Sequence, residues 1–258
     1  MPTDSLWGKS RSKIESGLSA ARERRFEPAT DTLVAVVALF GLWAVYYVQS
    51  GRESVAFILL FLVVGNLILT ILFPLYYVCV YRDEPLSEIG ITTTGWKRAV
   101  VVSSIMTVIF APGLLTLDLS TAVLIPHILT VGLMLWEPFF VHGFLQIRFE
   151  QAFGPLPGIV LAAVAFVLFH VGSVALVGLL ALGLFGLLHA VFFRVFDRNL
   201  LVLWPIWWAV GSAQGTADAI VFGWEEASAY VVILLIAGIA IYAAARSRGS
   251  TSKGLDSC

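Results

Sequence analysis

The chain has 258 residues, of which 59% are hydrophobic and only 13% are charged, with a formal net charge of −1. The charged fraction of a soluble domain is nearer a quarter, so this composition excludes an ordinary soluble protein. Several runs of about twenty residues without charge predict a polytopic membrane protein, folded as an all-α helix bundle. Outside the two tails there is no basic stripe, and nucleic-acid binding is therefore not expected.

In chain order, residues 1–30 form a polar tail with six basic residues, which we expect to be cytoplasmic, as an interfacial helix or as a solvated segment. A transmembrane bundle is predicted over 31–246, followed by a second cytoplasmic tail over 247–258. Hydropathy predicts about eight spans, at roughly 32–49, 54–81, 98–117, 121–146, 157–172, 174–193, 200–222 and 228–245.

The basic residues predict the orientation of these spans. With the N-terminus inside, eight alternating spans place 15 of the 16 Lys and Arg residues on the cytoplasmic side, and only Arg52 outside. Cytoplasmic loops of membrane proteins carry such an excess of Lys and Arg. We therefore expect an integral, multi-pass protein of the cell membrane with both termini in the cytoplasm.

One carboxylate lies deep in the predicted bundle. Glu137 is the only acidic residue between Asp118 and Glu150, and it belongs to the fourth span. A charge at membrane depth costs a few kcal/mol, normally faces the bundle interior or a water-filled cavity, and marks a candidate functional site. The next span carries His170, and a buried carboxylate with an imidazole forms a candidate acid–base site. A purely structural role for each residue stays open.

The residues around Glu137 resemble a known motif. The pattern Glu137-Pro138-x-x-x-His142-Gly143-x-x-Gln146 is similar to the Glu-Glu-x-x-x-Arg-Gly-x-x-Gln motif of the CPBP family. This family comprises the CAAX prenyl endopeptidases and the bacteriocin-processing (Abi) intramembrane proteases, which are glutamic proteases.

A second motif follows in the expected order. Phe166 and His170 match the Phe-x-x-x-His motif of the family in the next helix. The polar connectors at 86–91 and 193–200 also look like those of the family. The resemblance therefore covers a core at about residues 80–215 and implies an intramembrane protease fold.

Two departures from the first motif occur together. Pro138 replaces the second Glu and His142 replaces the Arg, at positions four apart that share one helix face. Removing one partner of a buried ion pair is costly, whereas removing both is nearly neutral. The two changes thus look like coherent loss of a structural pair. Pro138 also frees the carbonyl of Met134, which then needs another partner.

A third departure concerns the base of the last motif. The family pattern, His-x-x-x-Asn or a close variant, should lie near 205–215, where this chain has no histidine. Trp207, Trp208 and Gln214 stand there instead. An indole or an amide donates a hydrogen bond but cannot exchange a proton at neutral pH.

The resemblance implies an intramembrane endopeptidase of reduced activity. Glu137 would activate a water for attack on a peptide carbonyl, while His170 would orient the water or stabilise the oxyanion. No metal or other cofactor is expected, because Glu137 and His170 supply only two ligands and no His-Glu-x-x-His motif is present. The partner would be a membrane-embedded or prenylated peptide, in addition to the lipid bilayer. Supporting roles are implied for His142, Gly143, Gln146, Phe166, Trp207 and Gln214.

Two alternatives belong to other functional classes. A non-catalytic relative, or pseudoprotease, would bind a membrane peptide or a lipid in the same cavity. A small transporter would show paired intramembrane charges or an inverted repeat, and the sequence shows neither.

Overall fold

A computed structural model of the protein describes residues 26–49, 54, 56, 59–172, 174–203, 207–216 and 221–255. This part of the chain confirms the predicted all-α bundle. Of the two predicted tails, at 1–30 and 247–258, residues 1–25 and 256–258 lie outside the described residues. The described part forms eight helices: α1 (Thr30–Gln49), α2 (Leu60–Tyr81), α3 (Trp96–Leu114), α4 (Thr121–Phe153), α5 (Pro155–Leu168), α6 (Leu176–Val195), α7 (Trp207–Thr216) and α8 (Trp224–Leu255).

Six of these helices, α1, α2, α3, α4, α6 and α8, are long and apolar enough to cross a membrane, so the chain is a membrane protein. The fifth and seventh predicted spans correspond to shorter helices, of 14 residues in α5 and 10 residues in α7. Helix α2 has 22 residues within the described part. At 1.5 Å per residue that is about 33 Å, close to the thickness of the hydrocarbon core. Helix α8 extends beyond the predicted 228–245 in both directions.

The second half of α4 forms the centre of the bundle. Every residue from 138 to 150 is buried, and this segment contacts α1, α2, α5 and α6. The segment with the polar side chains of His142 and Gln146 is therefore covered by the rest of the bundle, and these side chains lie inside it.

Helix α4 is broken just before Glu137. Its first half ends at Leu133, and Met134 leaves the helical conformation with ψ 48°. The chain becomes helical again at Trp136, which puts Glu137 in the first turn of the second half. The carbonyl of Met134, which Pro138 cannot engage, accepts instead from the N–H of Glu137 at 3.4 Å. A π-helical segment then follows from Phe139 to Gln146, and such segments are frequent at functional sites.

Two polar connectors are joined at one end of the bundle. The N–H of Leu200 donates to the carbonyl of Gly90 at 3.0 Å. The side-chain amide of Asn199 donates to the carbonyls of Thr92 and Thr94, at 3.1 and 2.8 Å. Ion pairs tie the same end together, and we refer to it as the charged end: Asp31–Arg82, Arg82–Glu84, Glu84–Arg148, Arg98–Asp197, Glu150–Arg194 and Glu150–Arg198.

Gly143 allows the first connector to reach α4. A Cβ atom at Gly143 would lie 2.5 Å from the carbonyl oxygen of Ile89 and 3.4 Å from the side chain of Leu200. Real Cβ atoms do not approach a backbone oxygen that closely. The absence of a side chain at this motif position therefore lets the turn Leu86–Ile89 lie directly on the central helix.

We expect Gly143→Val to destabilise the bundle by about 1–3 kcal/mol, the usual cost of overpacking a core. Thermal unfolding in detergent micelles measures the change. Gly238→Ala is the matched control, because a Cβ atom at Gly238 meets nothing within 4 Å. In a helix, that control should be neutral or stabilising by up to about 1 kcal/mol. Equal unfolding midpoints for both variants would contradict the close approach.

Candidate active site

The Glu137 carboxylate is half-buried in the bundle between two buried neighbours, Trp136 and Pro138. Within the described residues it has no ion-pair partner. Two tyrosine hydroxyls, of Tyr46 on α1 and Tyr230 on α8, lie within electrostatic range of this carboxyl group.

The Tyr230 hydroxyl is held by an amide. The side-chain Nδ2 of Asn66, on α2, donates to the Tyr230 oxygen at 2.7 Å, and both side chains are buried. Since that oxygen accepts from Asn66, its own O–H is left to donate in another direction. The indole N–H of Trp136 lies close to the same hydroxyl but outside hydrogen-bond geometry.

His170 lies on the other side of Tyr46, just after the end of α5. Its Nδ1 is 2.8 Å from the carbonyl oxygen of Phe166, which accepts only, so the neutral ring carries its proton on Nδ1. The Tyr46 ring lies 5.9 Å from the ring of His170 and 6.1 Å from that of Trp136. The fold thus brings the surroundings of Glu137 and of His170 together around one tyrosine.

An apolar cavity of about 160 Å³ adjoins the break in α4. Trp136 and Pro138, the two neighbours of Glu137, line it together with Leu234 on α8. Leu234 is one helical turn from Tyr230, so both residues occupy the same face of α8. An apolar cavity of this size accommodates an apolar group better than it holds water.

His142 belongs to a second polar cluster, which faces α6. The side-chain nitrogen of Gln146 donates to Glu150 and to the carbonyl of Ala190, both at 2.9 Å. This fixes the orientation of the Gln146 amide, so its oxygen accepts from His142 Nδ1 at 2.8 Å. His142 is completely buried, and its ring lies 6.0 Å from that of His189.

The same cluster continues to the charged end. The Glu150 carboxylate accepts from Arg198 at 2.7 and 3.1 Å and lies 3.5 Å from Arg194. The side chain of Glu150 is only 1% exposed. The positions of His142 and Gln146, assigned to a supporting role by the resemblance, thus form a polar column from the bundle interior to the charged end.

The remaining predicted positions have structural contacts. Phe166 packs against His170 and Trp208, with ring centroids 5.2 and 5.9 Å away. The Gln214 amide covers Gly113 on α3 and would collide with a Cβ atom there. The side chain of Trp207 lies outside the described residues. No group of three or more His, Cys, Asp or Glu residues in the described part is arranged to hold a metal ion.

Sequence reasoning missed Tyr46, Asn66 and Tyr230. All three come from helices outside the motif-bearing region at 80–215. Asn66 could have been recognised from the sequence, because an amide within the apolar run of α2 needs a hydrogen-bond partner at membrane depth. The two tyrosines could not, since tyrosine is common in membrane helices for other reasons.

Comparison of the chain with family models, with curated proteins and with solved structures finds no match.

We expect Glu150→Ala to destabilise the bundle by about 3 kcal/mol, the low end for breaking a buried pair, because Arg198 is 29% exposed. Asp197→Asn is the control. Its partner Arg98 is 73% exposed, and an exposed pair contributes about 1 kcal/mol at most. Asn also tolerates the positive φ of 58° at this position. Unfolding free energies from denaturing-detergent titration give both values, and equal losses would refute the buried column.

Proposed function

We propose that the protein is an intramembrane endopeptidase similar to the CAAX-processing and Abi proteases, with Glu137 as its general base. The observation that carries the proposal is the half-buried Glu137 carboxylate, placed at a helix break without an ion-pair partner among the described residues. General-base catalysis needs a carboxylate held near water, and a broken helix beside polar side chains provides room for one.

His170 has a more restricted role than its residue type suggests. Because its Nδ1–H donates to the Phe166 carbonyl, the remaining Nε2 of the neutral ring is an acceptor. An acceptor can orient a water by taking one of its hydrogen bonds, but it cannot stabilise an oxyanion. We therefore assign His170 to positioning the water that Glu137 deprotonates.

The proposed substrate is a membrane-embedded or prenylated peptide. The cavity beside Trp136 and Pro138 is apolar, as binding of a membrane segment or an isoprenoid chain requires. Glu137 lies between these two residues in sequence, so an apolar group in the cavity brings an attached peptide close to the carboxylate. The cell membrane is the proposed location, with the charged end in the cytoplasm.

The binding-only relative is the second candidate, and one observation favours it. At the place of the last-motif histidine, the buried Trp208 packs against Phe166 and the ring of His189. An indole in that position is a packing residue and no base. The same apolar cavity would then hold a lipid or a peptide without cleaving it.

Replacing Glu137 by Gln separates these two functions, because Gln keeps the shape and removes the base. We expect wild-type protein in liposomes to cleave a farnesylated CAAX peptide or a single-span peptide, and Glu137→Gln to lose cleavage by at least 10²-fold, roughly the scale of a lost catalytic base. Glu225→Gln is the matched control, since Glu225 is exposed at the start of α8.

Two results would overturn the mechanism. Equal cleavage by the wild type and Glu137→Gln would show that Glu137 is not the base. Binding of the same peptides by both proteins, without cleavage by either, would establish the binding-only relative.

The orientation has its own test. The ion pairs of the charged end involve five of the basic residues that the predicted topology places inside, Arg82, Arg98, Arg148, Arg194 and Arg198. We expect a reporter that works only in the cytoplasm to be active when it is fused after residue 258, because the excess of Lys and Arg places the C-terminus there. A reporter at residue 52 should give the opposite result. A C-terminal reporter active outside the cell would refute the topology.

A further inference from the structure

His127 joins three segments of the bundle, in the half of α4 that lies away from the charged end. The residue is completely buried. Its Nε2 is 3.0 Å from the carbonyl oxygen of Ala213, near the end of α7. Its Nδ1 is 3.2 Å from the backbone nitrogen of Phe222, just before α8 begins at Trp224. We refer to these two hydrogen bonds as the His127 junction.

The two partners of the ring determine where its hydrogen lies. A carbonyl oxygen only accepts a hydrogen bond, and a backbone N–H only donates one. His127 must therefore carry its hydrogen on Nε2 and a lone pair on Nδ1, which is a neutral imidazole. The other three histidines have the opposite tautomer, because the Nδ1 atoms of His142, His170 and His189 each face an acceptor oxygen.

A protonated ring does not fit the His127 junction. Both nitrogens of an imidazolium are donors, so a hydrogen on Nδ1 would point at the N–H of Phe222. The hydrogen bond between them would be lost, and two donors would face each other at 3.2 Å. The Phe222 ring, which stacks on the imidazole with centroids 5.6 Å apart, would keep water from the new charge.

The surroundings of His127 offer little compensation for a positive charge. Helices α7 and α8 pack against this half of α4. Neither α7 nor the first half of α4 has another titratable side chain in the described part. The carboxylates of Glu225 and Glu226 on α8, and of Asp118 before α4, belong to exposed residues, and Asp218 lies outside the described residues. A buried charge without a close partner is strongly destabilising.

The His127 junction holds a helix that forms one wall of the apolar cavity. Leu234, Ala237 and Ile241 of α8 line the cavity, opposite residues from the second half of α4. At the start of α8, the only other printed polar contact with α4 is weak: the Thr130 hydroxyl lies 3.3 Å from the carbonyl oxygen of Gly223. Loss of the junction would therefore loosen α8 at the end where it begins.

We propose that the His127 junction is an acid-sensitive contact, in which the neutral ring holds the start of α8 against α4 and protonation releases it. An imidazole ordinarily changes charge near pH 6.5, so the contact is formed at neutral pH and is lost as the medium is acidified. With the charged end in the cytoplasm, the junction lies in the outer half of the bundle. The pH outside the cell would then act on one wall of the cavity. This inference does not depend on the peptidase function.

Nitrogen NMR of the protein in lipid nanodiscs, with ¹⁵N-labelled histidine, tests the starting geometry. The chain has four histidines, and at neutral pH we expect one Nε2–H and three Nδ1–H tautomers. His127→Gln should remove the Nε2–H signal and leave the other three. An Nδ1–H tautomer for His127, or an imidazolium at neutral pH, would overturn the proposal.

The distance between two spin labels measures the release. Val123→Cys on α4 and Glu225→Cys on α8 place the labels at exposed positions, with Cys258 replaced by Ser and the buried Cys79 kept. We expect a single distance at neutral pH and a second, longer one at about pH 5, where an ordinary imidazole is charged. A distance that is the same at both pH values would overturn the proposal.

Two further variants show whether His127 is the group that responds. Gln at position 127 keeps one donor and one acceptor but does not titrate, so His127→Gln should retain the short distance at both pH values. Glu226→Gln is the matched control, because Glu226 accepts from the N–H of Gly223 at 2.8 Å and could itself titrate. This control should respond to pH as the wild type does.

The remaining outcomes also decide. A pH response that persists in His127→Gln, or that disappears in Glu226→Gln, would overturn the assignment to His127. If His127→Gln does not fold, NMR of the wild type replaces it. The His127 ring should then gain its second hydrogen over the same pH range in which the long distance appears, and a ring that stays neutral while the helices separate would contradict the proposal.

Discussion

The arrangement of the bundle depends on one constraint, namely a carboxylate inside a membrane protein without a cation beside it in the described structure. Such a group is stable only if neutral dipoles solvate it. Tyr46 on α1 and Tyr230 on α8 lie within electrostatic range of it, and the Asn66 amide donates to the Tyr230 oxygen. The break at Met134 adds the first turn of a helix, whose N-terminal end favours negative charge.

Under the proposed resemblance, the polar column from His142 to Glu150 accounts for the two departures from the family motif. In the CPBP family motif, a Glu and an Arg four residues apart would form a pair inside the bundle. Here Pro138 and His142 occupy those positions, and His142 satisfies its Nδ1–H through the neutral amide of Gln146. The nearest charges, Glu150 with Arg194 and Arg198, are displaced toward the charged end, where the arginines remain partly exposed. A charge pair nearer to water has a lower desolvation cost, and here it still links the second half of α4 to the end of α6.

Hydropathy alone predicted the helical class and the approximate position of every helix, because a membrane span is the strongest pattern that a sequence carries. Glu137 was also recognisable from its rarity in an apolar run. Other features depended on tertiary structure. The break in α4 lies between Gly132 and Pro138, two residue types that are also frequent in unbroken membrane helices. The role of Gly143 depends on the approach of Ile89, which lies 54 positions earlier in the chain. Tyr46 and Tyr230 are 184 positions apart in sequence, and the packing of the bundle brings them within electrostatic range of each other.

These contacts change the chemistry that the sequence suggested. A missing histidine in the last motif indicated a weakened site, because an imidazole both donates a hydrogen bond and exchanges a proton. The two tasks are separable. In the proposed mechanism, a carboxyl that has just accepted a proton from water can return it to the leaving amine. Glu137 would then act twice in each cycle, as base and as acid. The proposed peptidase would need only one group that titrates, and Glu137 lies between two residues, Trp136 and Pro138, that line the apolar cavity.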